Sequence, residues 1–269
     1  VGTALAQANG HFQPLPALAA LSGAVLLQIG VNLANDYFDG VKGIDAGERL
    51  GPVRVTQSGL IPLAQMRIGM FLTFLLATIV GLYLVFVGGW PVVIIGVCSM
   101  LAALAYSGGP YPLASHGLGD LFVFVFFGLV AVSGTYYVQA LEMSWLSVLS
   151  AVPTGLLITA ILVVNNLRDM ETDLKSRKYT LAVLLGSRAT KVEYVALVTG
   201  AFISAIVFWL GGLYPSAALL TLLSLPLAVP AIRSILKDSG ALLNHTLAKT
   251  ARLALIFSIL MGLGLIVGN

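Results

Sequence analysis

Two short stretches of this chain carry carboxylates in a repeated pattern. Asn32 to Asp45 reads NLANDYFDGVKGID, and Val163 to Asp173 reads VVNNLRDMETD. Asn35, Asp36 and Asp39 are spaced i, i+1, i+4, and Asn166, Asp169 and Asp173 are spaced i, i+3, i+7. On a helix each set falls on one stripe, where like charges repel by a few tenths of a kcal/mol. Each set also closes an apolar run, at the helix end whose macrodipole disfavours anions. Something positive must offset this, and a hard divalent cation does so. Mg²⁺ takes one or two carboxylates, keeps waters and completes its shell with substrate phosphate oxygens. Two such stripes facing each other predict a site for two Mg²⁺ ions around one diphosphate, with Asp36, Asp39, Asp169 and Asp173 as ligands. The bland alternative is that these acids are solvated helix ends. Two stripes with an Asn beside each make that reading the weaker one.

The flanks are basic. Lys42, Arg54, Arg168, Lys175, Arg177 and Lys178 are candidates to contact a diphosphate beside the metal. Arg54 lies in GPVRVTQSG and Lys178 in SRKYT, stretches rich in turn and hydroxyl residues rather than plain charge runs. The segment YSGGPYPLASHGLGD, Tyr106 to Asp120, is a Gly/Pro loop. It is either a cover that sets Tyr106 or Tyr111 against an aromatic or allylic group, or a connector whose tyrosines mark the interface. His116 is expected to be structural, and Asp120 to act as an N-cap opening the next helix.

The elements that position these groups follow from composition. Of 269 residues, 58% are hydrophobic and 9% charged, against about 25% charged in a soluble domain. This predicts an all-α, polytopic bundle in a lipid bilayer, with the whole of 1–269 as one domain. A spanning helix needs about 20 mostly apolar residues. Eight stretches qualify: 15–36, 64–88, 91–107, 119–140, 146–167, 191–212, 214–232 and 250–267. Residues 1–8 read as the tail of one more apolar helix, so nine spans are expected in the complete protein, the first truncated here. The single cysteine, Cys98, excludes a disulfide within the chain. The connections at 9–14, 88–91, 141–145 and 212–215 hold one charge, Glu142, whereas all 14 Lys and Arg lie in or beside the other set. By the positive-inside rule that second face is cytoplasmic, and both acid stripes share it. The net charge of +3 therefore reports orientation rather than nucleic-acid binding.

With NDYFD and NNLRDMETD both on spanning helices, the chain resembles the UbiA superfamily of intramembrane prenyltransferases. NLANDYFDGVKGID, GPVRVTQSG, GLGD followed by VFFG, and NNLRDMETD with KYTLAVLLG are similar to its 1,4-dihydroxy-2-naphthoate polyprenyltransferase branch. The resemblance implies a helical bundle with a lateral opening to lipid and two Asp-rich motifs on the cytoplasmic side of a bacterial membrane. It implies binding of Mg²⁺, a polyprenyl diphosphate and an aromatic acceptor, and alkylation of the acceptor with loss of diphosphate and CO₂. Carried over residue by residue, the first motif falls on Asn35, Asp36 and Asp39 and the second on Asp169 and Asp173. Arg54, Gln57, Lys178 and Thr180 also fall on positions that look familial. Together with the flank reading, Asn35, Lys42, Arg54, Arg168 and Lys178 are diphosphate candidates, and Tyr106, Tyr111, Gln57 and Asn166 pocket candidates. Two positions depart from the family pattern: Leu174 stands where a basic residue is expected and Arg177 where Gly is expected. A rival enzyme class, the CDP-alcohol phosphotransferases, shares the opening DYFDG, but Gly43 and Ile44 replace the Ala-Arg of that signature. An ion-coupled transporter would place its acids near the bilayer midplane, not at helix ends.

Overall fold

The computed structural model describes residues 1–42, 50–51, 55–56 and 58–268, without the side chain of Lys42. Asp45, Arg54 and Gln57 lie outside the described residues, as does the side chain of Lys42, and the roles expected of them are not addressed by the geometry below.

Nine helices are described. A short α1 (Gly2–Ala8) precedes α2 (Pro14–Lys42), α3 (Leu63–Gly88) and α4 (Trp90–Ser107). Then follow α5 (Gly119–Ala140), α6 (Trp145–Lys175), α7 (Leu181–Leu210), α8 (Ser216–Lys237) and α9 (Gly240–Val267). The eight from α2 onward are long and apolar enough to cross a membrane, as expected. In lipid each span must satisfy its backbone internally, so uninterrupted helix is the only economical solution. Helix ends differ from the sequence expectation mostly at the acid end of the bundle, where the helices run longer. α2 and α6 run past residues 36 and 167 to Lys42 and Lys175, so both acid stripes lie on helix and not beyond it. α7 and α9 also start earlier than expected. Gly186, at φ 78° and ψ 162°, breaks α7 and sets off its first turn from the long remainder.

Helix packing places α6 at the centre, against α5, α7 and α9. Lipid tails are as apolar as Leu, so close contact rather than water exclusion drives this packing. The contact surfaces are accordingly small: Ala160, Ala201, Ala205 and Ala218 are fully or almost fully buried. Large side chains such as Leu82, Phe86 and Val207 point outward. A close backbone approach lies between α5 and α6, where a Cβ on Gly128 would fall 2.7 Å from the Gly155 Cα. Gly128 belongs to a π-helical turn, Phe124–Val130, inside α5. Such insertions are frequent at functional sites, and this one brings Phe126 and Phe127 to the wall of the central cavity.

The three tryptophans, Trp90, Trp145 and Trp209, lie at the bundle end opposite the acids, at the start of α4, the start of α6 and the end of α7. Amphipathic rings collect at a membrane–water boundary, so they mark that boundary. A polar clamp closes the same end. The Asn9 side chain donates to the Tyr136 hydroxyl at 3.1 Å, and Gln13 Nε2 to the Gln139 carbonyl at 3.0 Å. This ties the α1–α2 turn to α5.

Candidate active site

A cavity of about 880 Å³ runs through the middle of the bundle. Its head is polar. Asn32, Asn35 and Asp39 line it from α2, and Asn166, Asp169 and Asp173 from α6. Both triplets are spaced i, i+3, i+7, so two stripes of the same register face one space. From the head the cavity extends along α2 to Ala20. The nineteen residues between Asp39 and Ala20 correspond to about 28 Å of helix, close to the thickness of a bilayer core. Past the head the lining is almost wholly apolar, with Leu27, Val31, Phe122, Phe126 and Phe127 among its members.

The acids are buried: Asp36, Asp39, Asp169 and Asp173 are each 4–8% exposed. Burial of a carboxylate is costly unless it is paired or bound to metal, and Asp36, Asp169 and Asp173 have polar or charged partners. Asp36 sits beside the cavity rather than on its wall. It accepts a very short hydrogen bond from Thr56 Oγ1, which also reaches the Asp36 carbonyl at 3.2 Å. Asn35 Oδ1 accepts from Ser107 Oγ at 2.6 Å, which fixes the end of α4 to the first stripe. Asp173 Oδ1 lies 3.8 Å from Lys178 Nζ, and Lys178 lines the cavity.

The turn after α6 explains how Lys178 gets there. Lys178 N–H donates to the Asp173 carbonyl at 2.8 Å and Arg177 N–H to the Leu174 carbonyl at 3.1 Å. These are the two bonds of a Schellman cap, whose C′ residue is left-handed. That residue is Arg177, at φ 56°. The departure from the expected Gly therefore falls at the one position of the turn where Gly is favoured. The turn carries Lys178 back over the acid two residues before the helix end. Thr180 then caps α7, accepting from Val183 N–H at 3.4 Å, and Tyr179 N–H bonds the Ser115 carbonyl at 3.1 Å.

Several expectations need correction. Arg168, expected at a diphosphate, is 4% exposed and not among the cavity-lining residues. Its Nε and Nη2 fork onto the two oxygens of Asp169 at 2.8 and 2.7 Å. Tyr111 is 58% exposed and stacks on His116 with ring centroids 3.5 Å apart, outside the cavity. Tyr106, its partner in the expectation, does line the cavity, as does Asn166. Asp120 is not an N-cap. Leu118 holds that position, and Asp120 sits buried in the first turn with no hydrogen-bond partner for Oδ2. His116 is structural as expected, with Nδ1 2.7 Å from the Pro112 carbonyl. Sequence reading passed over Asn32, Asn165 and Asn244 as site residues. The first two stand inside the quoted motifs and were legible by register, while Asn244 lies 76 residues from Arg168, which it bonds.

The donor set suits a hard cation: the head offers carboxylate and amide oxygens from two helices. Among the described residues no three His, Cys, Asp or Glu side chains converge into a closed cage. Mg²⁺ itself takes few protein ligands and completes its shell with water and phosphate.

Comparison with known proteins extends the picture. The model of the UbiA prenyltransferase family matches residues 1–256. The 1,4-dihydroxy-2-naphthoate octaprenyltransferase of Escherichia coli (strain K12) is 39% identical over 272 residues, covering 98% of this chain and 88% of that protein. The enzyme of the same name from Mycobacterium tuberculosis is also 39% identical, over 251 residues, covering 88% and 85%. A UbiA homolog from Archaeoglobus fulgidus, solved with DMAPP and Mg²⁺, superposes with a TM-score of 0.66 over 100% of this chain and 96% of its own, at 12% identity. That last likeness is one of fold.

Proposed function

The chain belongs to the UbiA prenyltransferase family, and on that footing we propose that it moves a polyprenyl group from polyprenyl diphosphate to 1,4-dihydroxy-2-naphthoate. Diphosphate and CO₂ leave and a demethylmenaquinol forms. The observation that carries this reading is the shape of the cavity, a polar head between two acid stripes continuous with an apolar arm about as long as a bilayer core is thick. A diphosphate with a long isoprenoid tail has that same division. The acceptor rests on the names of the relatives at 39% identity.

Asp39, Asp169 and Asp173, with Asn35 and Asn166, would hold Mg²⁺ in the head, and two stripes suit two ions. When bound, the metal would neutralise charge on the leaving diphosphate. The chain's own residues do the rest. Lys178 adds a positive charge beside Asp173 at the mouth. The apolar wall keeps water from the allylic carbon as its bond to oxygen breaks. The π-faces of Tyr106, Phe126 and Phe127 line the path on which positive charge develops, and such faces attract cations. The electron-rich ring then attacks that carbon. The basic residues cluster at the acid end of the bundle, which supports a head that faces the cytoplasm from a bacterial cytoplasmic membrane.

The test is prenyl transfer by purified protein in detergent, with dihydroxynaphthoate, 4-hydroxybenzoate and homogentisate offered separately. Transfer to the naphthoate alone, abolished by EDTA and restored by Mg²⁺, is the expected result. Preference for a benzenoid acceptor would replace the substrate while keeping the reaction.

A further inference from the structure

The second acid stripe is held from behind by a hydrogen-bond relay that reaches two other parts of the chain. Arg168 is the hub. Besides its fork on Asp169, Nη1 donates to Asn244 Oδ1 at 2.8 Å and Nη2 to Asn165 Oδ1 at 2.7 Å. Its side chain is 2% exposed, so these protein acceptors stand in place of water. Asn244 lies on α9. Its other amide atom, Nδ2, donates to the Leu50 carbonyl at 2.8 Å. Leu50 and Gly51 follow the first acid stripe in sequence, just past the end of α2 at Lys42. Gly51 rests directly on the guanidinium, since a Cβ there would fall 2.5 Å from Arg168 Nη2.

We propose that Asn244 is a positioning residue, which joins the second acid stripe to the chain that follows the first, by gripping Arg168 with its carbonyl and the Leu50 carbonyl with its amide. The proposal rests on the reading that the stripes hold a divalent cation and a diphosphate. The physical argument is one of chemical direction. An amide accepts on one side and donates on the other, and here both sides are used, whereas an ionised carboxylate of the same size only accepts. The Arg168 fork fixes the plane of the Asp169 carboxylate and leaves each oxygen a further lone pair for a ligand. If the relay slackens, Asp169 loses its set orientation and the segment at Leu50 loses its anchor. The reacting ring touches neither group.

The experiment uses the full chain in detergent and two readouts. The first is Mn²⁺ binding, followed by loss of the free-ion EPR signal without any substrate. The second is KM for each substrate. Asn244→Ala is expected to weaken Mn²⁺ binding fivefold or more and raise KM for the prenyl diphosphate by a similar factor, with the acceptor's KM moving less than twofold. Asn244→Asp still accepts from Arg168 but cannot donate to Leu50, and is expected to be as impaired as Ala. Gly51→Ala presses on the guanidinium from the other side and serves as a second variant should Asn244→Ala not fold. A lowered melting temperature with unchanged Mn²⁺ affinity and unchanged KM values would reduce Asn244 to a packing residue and overturn the proposal. Full rescue by Asn244→Asp would overturn the link to Leu50 and with it the joining role. A wild type that binds no Mn²⁺, or binds it equally well as Asp39→Asn and Asp173→Asn, would defeat the functional reading itself and the inference with it.

Discussion

Removing the Lys178 ammonium tests the electrostatics of the cavity head, because its position can be turned into an expected size and sign. Nζ stands 3.8 Å from Asp173 Oδ1, too far for a hydrogen bond. At an effective dielectric of about 20, two unit charges at that distance attract by about 4 kcal/mol before desolvation is subtracted. Little of that survives as net stability, so Lys178→Ala should leave folding nearly intact. A diphosphate oxygen in the head would instead take a charge-assisted bond worth about 1.5–3 kcal/mol. Losing it lowers kcat/KM for the prenyl diphosphate by about 10- to 150-fold, at tenfold per 1.36 kcal/mol. The acceptor carries no diphosphate, so its KM should stay within about twofold. The metal requirement moves the opposite way. Without the ammonium, Asp173 keeps more of its charge for a cation, so half-saturating Mg²⁺ should fall in Lys178→Ala. Lys178→Arg should recover part of the loss, since it restores charge with a different reach and shape. The assay is transfer of a labelled prenyl group at saturating acceptor across a Mg²⁺ series. Wild-type kcat/KM, or equal losses for both substrates, would refute a diphosphate contact and leave Lys178 as a charge that orients the chain.

Three further outcomes are expected. Arg177→Gly removes a left-handed L-residue that costs about 1–2 kcal/mol, partly offset by the greater flexibility of Gly, so the thermal midpoint in detergent should rise by a few degrees with activity unchanged; a lower midpoint would contradict the Schellman geometry. Gly128→Ala forces apart two helices whose backbones touch and should cost about 1–3 kcal/mol, with a higher KM for the prenyl diphosphate because Phe126 and Phe127 move too; an unchanged midpoint would deny that contact. In a Cys98→Ala background, Ser239→Cys should react with a membrane-impermeant maleimide only from the cytoplasmic side and Glu142→Cys only from the other; labelling of both from one side would break the alternation of the helices.

What the sequence made legible was whatever depends on local register. A bilayer demands long uninterrupted apolar helices, so the spans could be counted from composition. A helix puts i, i+3 and i+7 on one side, so the second stripe could be drawn before any contact was known, whereas the first was drawn through Asp36 in place of Asn32. What stayed hidden depends on rotation and distance. Arg168 sits next to Asp169 in sequence, which on an ordinary surface turns the two side chains about 100° apart. Here the guanidinium folds back onto its neighbour because Asn165 and Asn244 stand ready to accept from it. Nothing within seventy residues of Arg168 announces Asn244. Tyr111 misled for the opposite reason, since an aromatic in a Gly/Pro loop reads the same whether it faces a pocket or stacks on His116 outside it.

The two stripes also bear on how the site is divided between the halves of the chain. Asn32, Asn35 and Asp39 stand 134 residues before Asn166, Asp169 and Asp173, so three cavity-lining positions repeat at one fixed offset. At the same offset the position of Arg168 is taken in the first half by Ala34, which is fully buried. A repeated stripe with an unrepeated arginine means that the second stripe brings its own cation and the first does not bring the same one. Arg168 neutralises Asp169 from behind, and Lys178 lies beside Asp173. Asp36, beside the first stripe and off the cavity wall, accepts from a neutral hydroxyl, Thr56. A charge-assisted partner holds a carboxylate more firmly than a neutral one. The second stripe is therefore braced from behind by Arg168, which ties α6 to α9. Beside the first stripe, Thr56 bonds Asp36 and Leu50 bonds Asn244, contacts that tie the chain after α2 back to the bundle.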